Sequence, residues 1–204
     1  MSLANALRFS GQYEEADQLF GELCEARSKK HGPSAESTLV ALQSRVENLL
    51  DAGQATEAAA LASLWNRALA SQETQDESMD ALSQTALNEA LLEAGERQQV
   101  VDGFDETLLT QADEVQRHRA QSVWAASQDD TQGLIEAAEW FEAHLAELED
   151  GARPYARRAG RRVVDSLERH GEPHEVAKWR ERTEALHNQL QELADGNAED
   201  SGAP

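Results

Sequence analysis

The chain has 204 residues, 39 acidic and 18 basic, for a formal net charge of −21. A surface of that sign repels phosphate backbones and anionic headgroups, which argues against nucleic acid or a lipid surface as a partner. Ala, Leu, Glu, Gln and Arg dominate, only four prolines occur, and no run alternates β-branched and aromatic residues, so the expected class is all-α. Three of the cations are lysine (Lys29, Lys30 and Lys178). Low lysine beside high acid fits a salt-adapted organism or a GC-rich genome equally well. The single cysteine, Cys24, falls among helical apolar residues and is expected to be a buried, reduced thiol. No stretch reaches the roughly 18 apolar residues of a membrane span. The start lacks a basic segment followed by an apolar core, so a cytoplasmic location is the expectation.

In chain order, residues 3–10 read as a helix with Leu3, Ala4 and Leu7 on one face, ended by Gly11. Residues 13–30 follow as its partner through Ala16, Leu19, Phe20, Leu23 and Cys24, with Lys29 and Lys30 set against the negative end of the helix dipole. His31-Gly32-Pro33-Ser34 stops that helix. Residues 35–52 carry Leu39, Leu42, Val46, Leu49 and Leu50, and Gly53 separates them from a helix over 55–71. The polar segment 72–78 reads as a connection. A helix over 79–94 then ends at Gly95, and another is expected over 97–113 with Val100, Val101, Phe104 and Leu108. Helices over 114–129, 134–149, 155–169 and 173–194 complete the pattern, and the small, acidic tail 195–204 is expected to be disordered.

Gly11, Gly53 and Gly95 are 42 residues apart, and a small or β-branched residue follows each by five: Ala16, Ala58 and Val100. A fixed period of this length is the mark of a repeat array. The fourth turn carries no glycine in register. Gln132 is taken as its equivalent, with Asp130 competing, because Ala137 and Phe141 then fall five and nine positions on; the intervals become 37 and 39 residues up to Gly171. The domain is read as 1–194, with repeats near 1–31, 34–72, 78–113, 114–150 and 154–194.

These residues carry a resemblance. Leu3-Ala4, Gly11, Ala16 and Phe20 match the pattern of the tetratricopeptide repeat, and Gly95, Val100 and Phe104 match it in part, as do Trp124-Ala125, Ala137 and Phe141. The period of 42 resembles the long-helix variety of kinesin light chains and bacterial arrays, as does Gly32-Pro33 through Thr38-Leu39, which lacks the usual His-Pro. Ala62 and Arg180 depart from the pattern at its aromatic position. The resemblance implies a right-handed α-α superhelix of about five hairpins that binds a protein or peptide in its concave groove, without catalysis or cofactor. Such arrays in bacteria often follow a protein-kinase domain, so a regulatory or sensor segment of a larger protein is the alternative. A helical enzyme or small-ligand receptor is the third reading.

No nucleophile elbow, phosphate loop, paired zinc cysteines or HExxH is present. His170 and His174 straddle Gly171 and Pro173 and so share no helical face, and carboxylate pairs such as Glu14-Glu15 and Asp129-Asp130 are expected by chance among so many acids. No metal site is expected. By the resemblance, the inner face lies two, three, six and ten residues before each turn. It then comprises Asn5, Arg8 and Phe9; Gln43, Glu47, Leu50 and Asp51; Thr85, Glu89, Leu92 and Glu93; Ser122, Ala126, Asp129 and Asp130; and Arg161, Asp165, Glu168 and Arg169. An acidic middle with aliphatic spots at Leu50 and Leu92 suits a basic partner. The run Arg153, Arg157, Arg158, Arg161 and Arg162 opposes the general charge and is expected to pair with acidic neighbours inside the molecule.

Overall fold

The computed structural model of the protein describes residues 2–72, 77–171 and 173–200. The expected connection 72–78 is therefore covered only at its two ends, and residues 201–204 of the expected tail lie outside the described residues. Eleven helices and no strand are formed among the described residues: α1 (Ser2–Phe9), α2 (Tyr13–His31), α3 (Glu36–Asp51), α4 (Ala55–Ala70), α5 (Glu77–Glu93), α6 (Arg97–Gly103), α7 (Leu108–Gln111), α8 (Glu114–Gln128), α9 (Thr131–Ala143), α10 (Arg153–His170) and α11 (Pro173–Asp200). The fold is an all-α solenoid type in which consecutive helices pack as hairpins. The chain divides into two compact units, residues 1–116 and 117–204.

In the first unit, α2 packs on α3, α3 on α4 and α4 on α5, while α1 touches both α2 and α3. Its main core gathers Leu39, Val46, Leu49, Trp65, Leu69, Ala86 and Ala90. A separate small cluster joins Ala4 of α1 to Ala16 and Phe20 of α2, with Leu7, Leu19 and Leu23 at its edge. Cys24 is buried, and burial pushes its thiol above the ordinary value against the lowering pull of Arg45 and Arg27. The second unit buries Leu134, Ala137, Phe141, Val163, Trp179 and Leu186.

The turns correct the sequence register. Gly11, Gly53 and Gly95 have φ of 79°, 73° and 83°, the left-handed region where a Cβ is costly. Each glycine N–H donates to the carbonyl three residues back, and the next N–H donates five back: Gly53 to Leu50 and Gln54 to Leu49. Asp129 alone among the described non-glycine residues has positive φ, 62°, and it repeats the pattern, its N–H donating to Ala126 and that of Asp130 to Ala125. The fourth turn is thus at Asp129, not Gln132, and Asp130 is the N-cap of α9, its carboxylate accepting from the Gly133 N–H. The intervals become 34 and then 42 residues. The residues five after the turns are Ala16, Ala58, Val100 and Leu134, all fully buried. Leucine fits the last of these crossings because Gly133 beside it lets α9 approach α8: a Cβ there would lie 3.1 Å from that of Ala125.

Three helices differ from expectation. The helix expected over 97–113 breaks at Gly103, Phe104 is extended, and the Asp105 carboxylate accepts the Thr107 N–H at 2.9 Å, an Asx turn that competes with helix. That hydrogen bond also holds Asp105 below the usual carboxylate range. α9 ends at Ala143 rather than near 149, as His144 caps it through its backbone N–H to Trp140, and the turns beyond bury Leu145 and Leu148. α11 continues to Asp200, past the expected end at 194, over residues that include the helix formers Ala194, Ala198 and Glu199.

Candidate functional site

The inner-face positions of the first unit fall on α1, α3 and α5, which adjoin in that order. The hairpins bring them there through side-chain clamps. Arg45 of α3 donates to both carboxylate oxygens of Asp17 on α2 at 2.8 and 2.9 Å, and Gly21 leaves room for its guanidinium, which lies 3.6 Å from where a Cβ would stand. The hydrogen bond to Asp17 raises Arg45 above its ordinary value. Asn48 donates to the Tyr13 carbonyl and Arg27 to that of Ser37, fixing α3 against both ends of α2.

On that frame sits a charged cluster. Arg8 Nε donates to Asp51 Oδ2 at 2.7 Å, its Nη2 lies 2.7 Å from the same oxygen and 3.8 Å from Glu47 Oε2, and all three side chains are 5% exposed or less. Burying a charge is costly unless it is paired, and this pairing satisfies the condition. Glu47, Leu50, Thr85, Glu89 and Arg8 therefore belong to the interior, whereas Asn5, Gln43, Leu92 and Glu93 are half-buried and reach the surface. This burial has no signal in the sequence, because net acidity does not show which carboxylates are covered.

The second unit holds Arg161 and Arg169, both exposed on α10. Arg169 pairs with Asp129 at 3.2 Å, and His170 Nε2 lies 2.7 Å from the other oxygen of that carboxylate. The His170 hydrogen bond, then that of Arg169, hold Asp129 below the usual carboxylate range. With the turn at Asp129, the inner-face positions of α8 become Arg119, Val123, Ala126 and Ser127; Ser122 moves off the list, and Asp129 and Asp130 build the turn itself.

The arginine run of α10 divides. Arg153 pairs with Asp150, Arg158 and Arg162 are buried, and Arg162 donates to Ser122 of α8. Arg119 stacks on the Tyr155 ring with its Cζ 4.0 Å from the centroid, and Arg158 is 5.1 Å from it. Arg182 of α11 lies 3.9 Å over Trp179 and pairs with Glu139 and Glu142 of α9. Trp140 is stacked between His118 at 4.2 Å and His144 at 4.4 Å. Arg158–Tyr155, Arg182–Trp179 and Trp140–His144 have the i,i+3 or i,i+4 spacing of neighbours on one helix face, whereas Arg119–Tyr155 and His118–Trp140 join different helices and have no signal in the sequence. No group of three metal-binding side chains occurs among the described residues, and no described helix is long and apolar enough to cross a membrane.

Two solved structures share this arrangement of helices. Both are described as a kinesin light chain of Podosopora anserina with nearly identical TPR-like repeats. One, a variant, superposes with a TM-score of 0.58 at 19% identity over 94% of each chain. The other gives 0.57 at 19% identity over 93% of this chain and 94% of that one. The fold is TPR-like. That likeness covers both units and agrees with the turn geometry at Gly11, Gly53, Gly95 and Asp129. No protein-family model matches the sequence, and no curated protein matches it.

Proposed function

We propose that this TPR-like chain is a non-catalytic protein-interaction module whose first unit receives a basic peptide or protein on the α1, α3 and α5 face. The observation that carries the reading is the guanidinium of Arg8 held by Asp51 and Glu47 on that face. The face is built to take a cation of this shape, and planar guanidinium meets carboxylate with directional hydrogen bonds that lysine does not make. Asn5, Gln43, Leu92 and Glu93 supply polar, aliphatic and acidic contacts around it. In the second unit, Arg161 and Arg169 are the candidate contacts, exposed on α10. The net charge of −21 favours a basic protein over nucleic acid or anionic lipid, and a cytoplasmic setting accompanies this reading.

The test is a fluorescence anisotropy titration with two labelled peptides of one length, one alternating arginine and leucine, the other glutamate and leucine. The arginine peptide is expected to bind and the glutamate peptide not to. Preference for the glutamate peptide overturns the assignment, and so does an Asp51→Asn variant that binds the arginine peptide as well as the wild type.

A further inference from the structure

We infer that α1 is an autoinhibitory strap: its Arg8 fills the guanidinium site of the first unit, and a basic partner gains that site by displacing it. The inference rests on the basic-partner reading above and adds its regulation.

Three observations support it. First, Arg8 is of the ligand's own chemical class and is seated on Asp51 and Glu47, so partner and strap compete for the same oxygens. Second, the site is closed: the side chains of Arg8, Asp51 and Glu47 are 5%, 3% and 2% exposed, so nothing enters while α1 is down. Third, α1 is lightly held. Of its described side chains only Ala4 and Arg8 are buried, it joins the small α1–α2 cluster rather than the main core, and Leu3 is 65% exposed. Gly11, left-handed at φ 79° with nothing within 4 Å of its missing Cβ, connects it to α2.

A strap seated about nine-tenths of the time lowers the apparent affinity of a competing ligand about tenfold, because only the open fraction binds. Arg8→Gln removes the competitor and leaves its carboxylates. The full-length Arg8→Gln chain is expected to bind the arginine–leucine peptide about tenfold more tightly than the wild type. Lys29→Gln, the same charge change at an exposed residue, is expected to leave affinity unchanged. Adding Asp51→Asn to Arg8→Gln is expected to abolish the gain. A second readout uses the unaltered protein: hydrogen exchange at amides 5–10 is expected to quicken when the peptide binds. Unchanged or slower exchange there, with wild-type binding intact, overturns the strap and leaves the binding reading standing. An Arg8→Gln gain no greater than that of Lys29→Gln does the same. Absence of binding by every variant overturns the binding reading and the strap with it.

Discussion

At the residue scale, the left-handed turn positions separate conformational cost from contact cost. A Cβ at Gly53 meets nothing within 4 Å, yet φ is 73°. Gly53→Ala is therefore expected to destabilise by about 1 kcal/mol through backbone strain alone, and Gly53→Asn by less, since asparagine tolerates this region. Urea denaturation measures both, and equal losses count against the strain account. Asp129 holds the same conformation and adds a charge. Its carboxyl is depressed in the folded chain by His170 and Arg169, so its contribution is present above the unfolded value and is lost as pH falls through the folded one. The melting difference between wild type and Asp129→Asn is expected to shrink as pH falls below about 4, where the carboxyl takes up its proton. A difference that does not shrink between about pH 4 and about pH 2 contradicts the pairing. The three glycine turns were legible because only glycine makes that backbone free of cost. The fourth was not, because an aspartate in it looks like any other acid in a chain that has 39.

Elements were legible where apolar spacing is regular and illegible where a local hydrogen bond competes with the helix. Leu39, Val46, Leu49 and Leu50 give α3 its buried face, and Ala58, Ala62, Trp65 and Leu69 give that of α4. Val100, Phe104 and Leu108 have the same spacing, but the Asx turn at Asp105 splits them between α6 and α7. Small residues at the hairpin crossings make packing the limiting term. Ala58 is fully buried, so Ala58→Trp is expected to overpack the α3–α4–α5 layers and cost about 1–3 kcal/mol or more. An unchanged thermal midpoint counts against this register. Gly133 and Gly103 give opposite outcomes for one substitution. A Cβ at Gly133 would stand 2.6 Å from Asp130 Oδ2, in the same carboxylate whose Oδ1 caps α9, so Gly133→Ala displaces the cap and is expected to cost about 1–3 kcal/mol. Gly103→Ala, with open space around it at the end of α6, is expected to gain about 0.5–1 kcal/mol. Thermal melts of both variants check the contrast.

At the scale of the whole molecule, the surplus of acid acts on stability and on binding with opposite signs. Residues 1–116 carry 21 acidic and 7 basic side chains, and residues 117–204 carry 18 and 11. Exposed pairs such as Lys29–Glu25, Arg180–Glu168 and Lys178–Glu175 are worth little each, about 0–1 kcal/mol, and salt weakens them further. Repulsion among the net 21 negative charges is long-ranged, and unfolding relieves it by spreading the charges apart. Because the screening length falls to about 10 Å at 0.1 M salt, sodium chloride removes more repulsion than attraction here. Tm is therefore expected to rise between about 20 mM and about 200 mM salt, and relief of about 1 kcal/mol would raise it by about 2–4 °C for a chain of this size. Affinity for the arginine–leucine peptide is expected to fall over the same range, since the same screening weakens attraction between the acidic face and a cation. Calorimetry and anisotropy on one preparation measure both slopes. A Tm that falls with salt would mean that the ion pairs outweigh the repulsion. Affinity indifferent to salt would mean that aliphatic contacts, not the carboxylates around Arg8, hold the peptide.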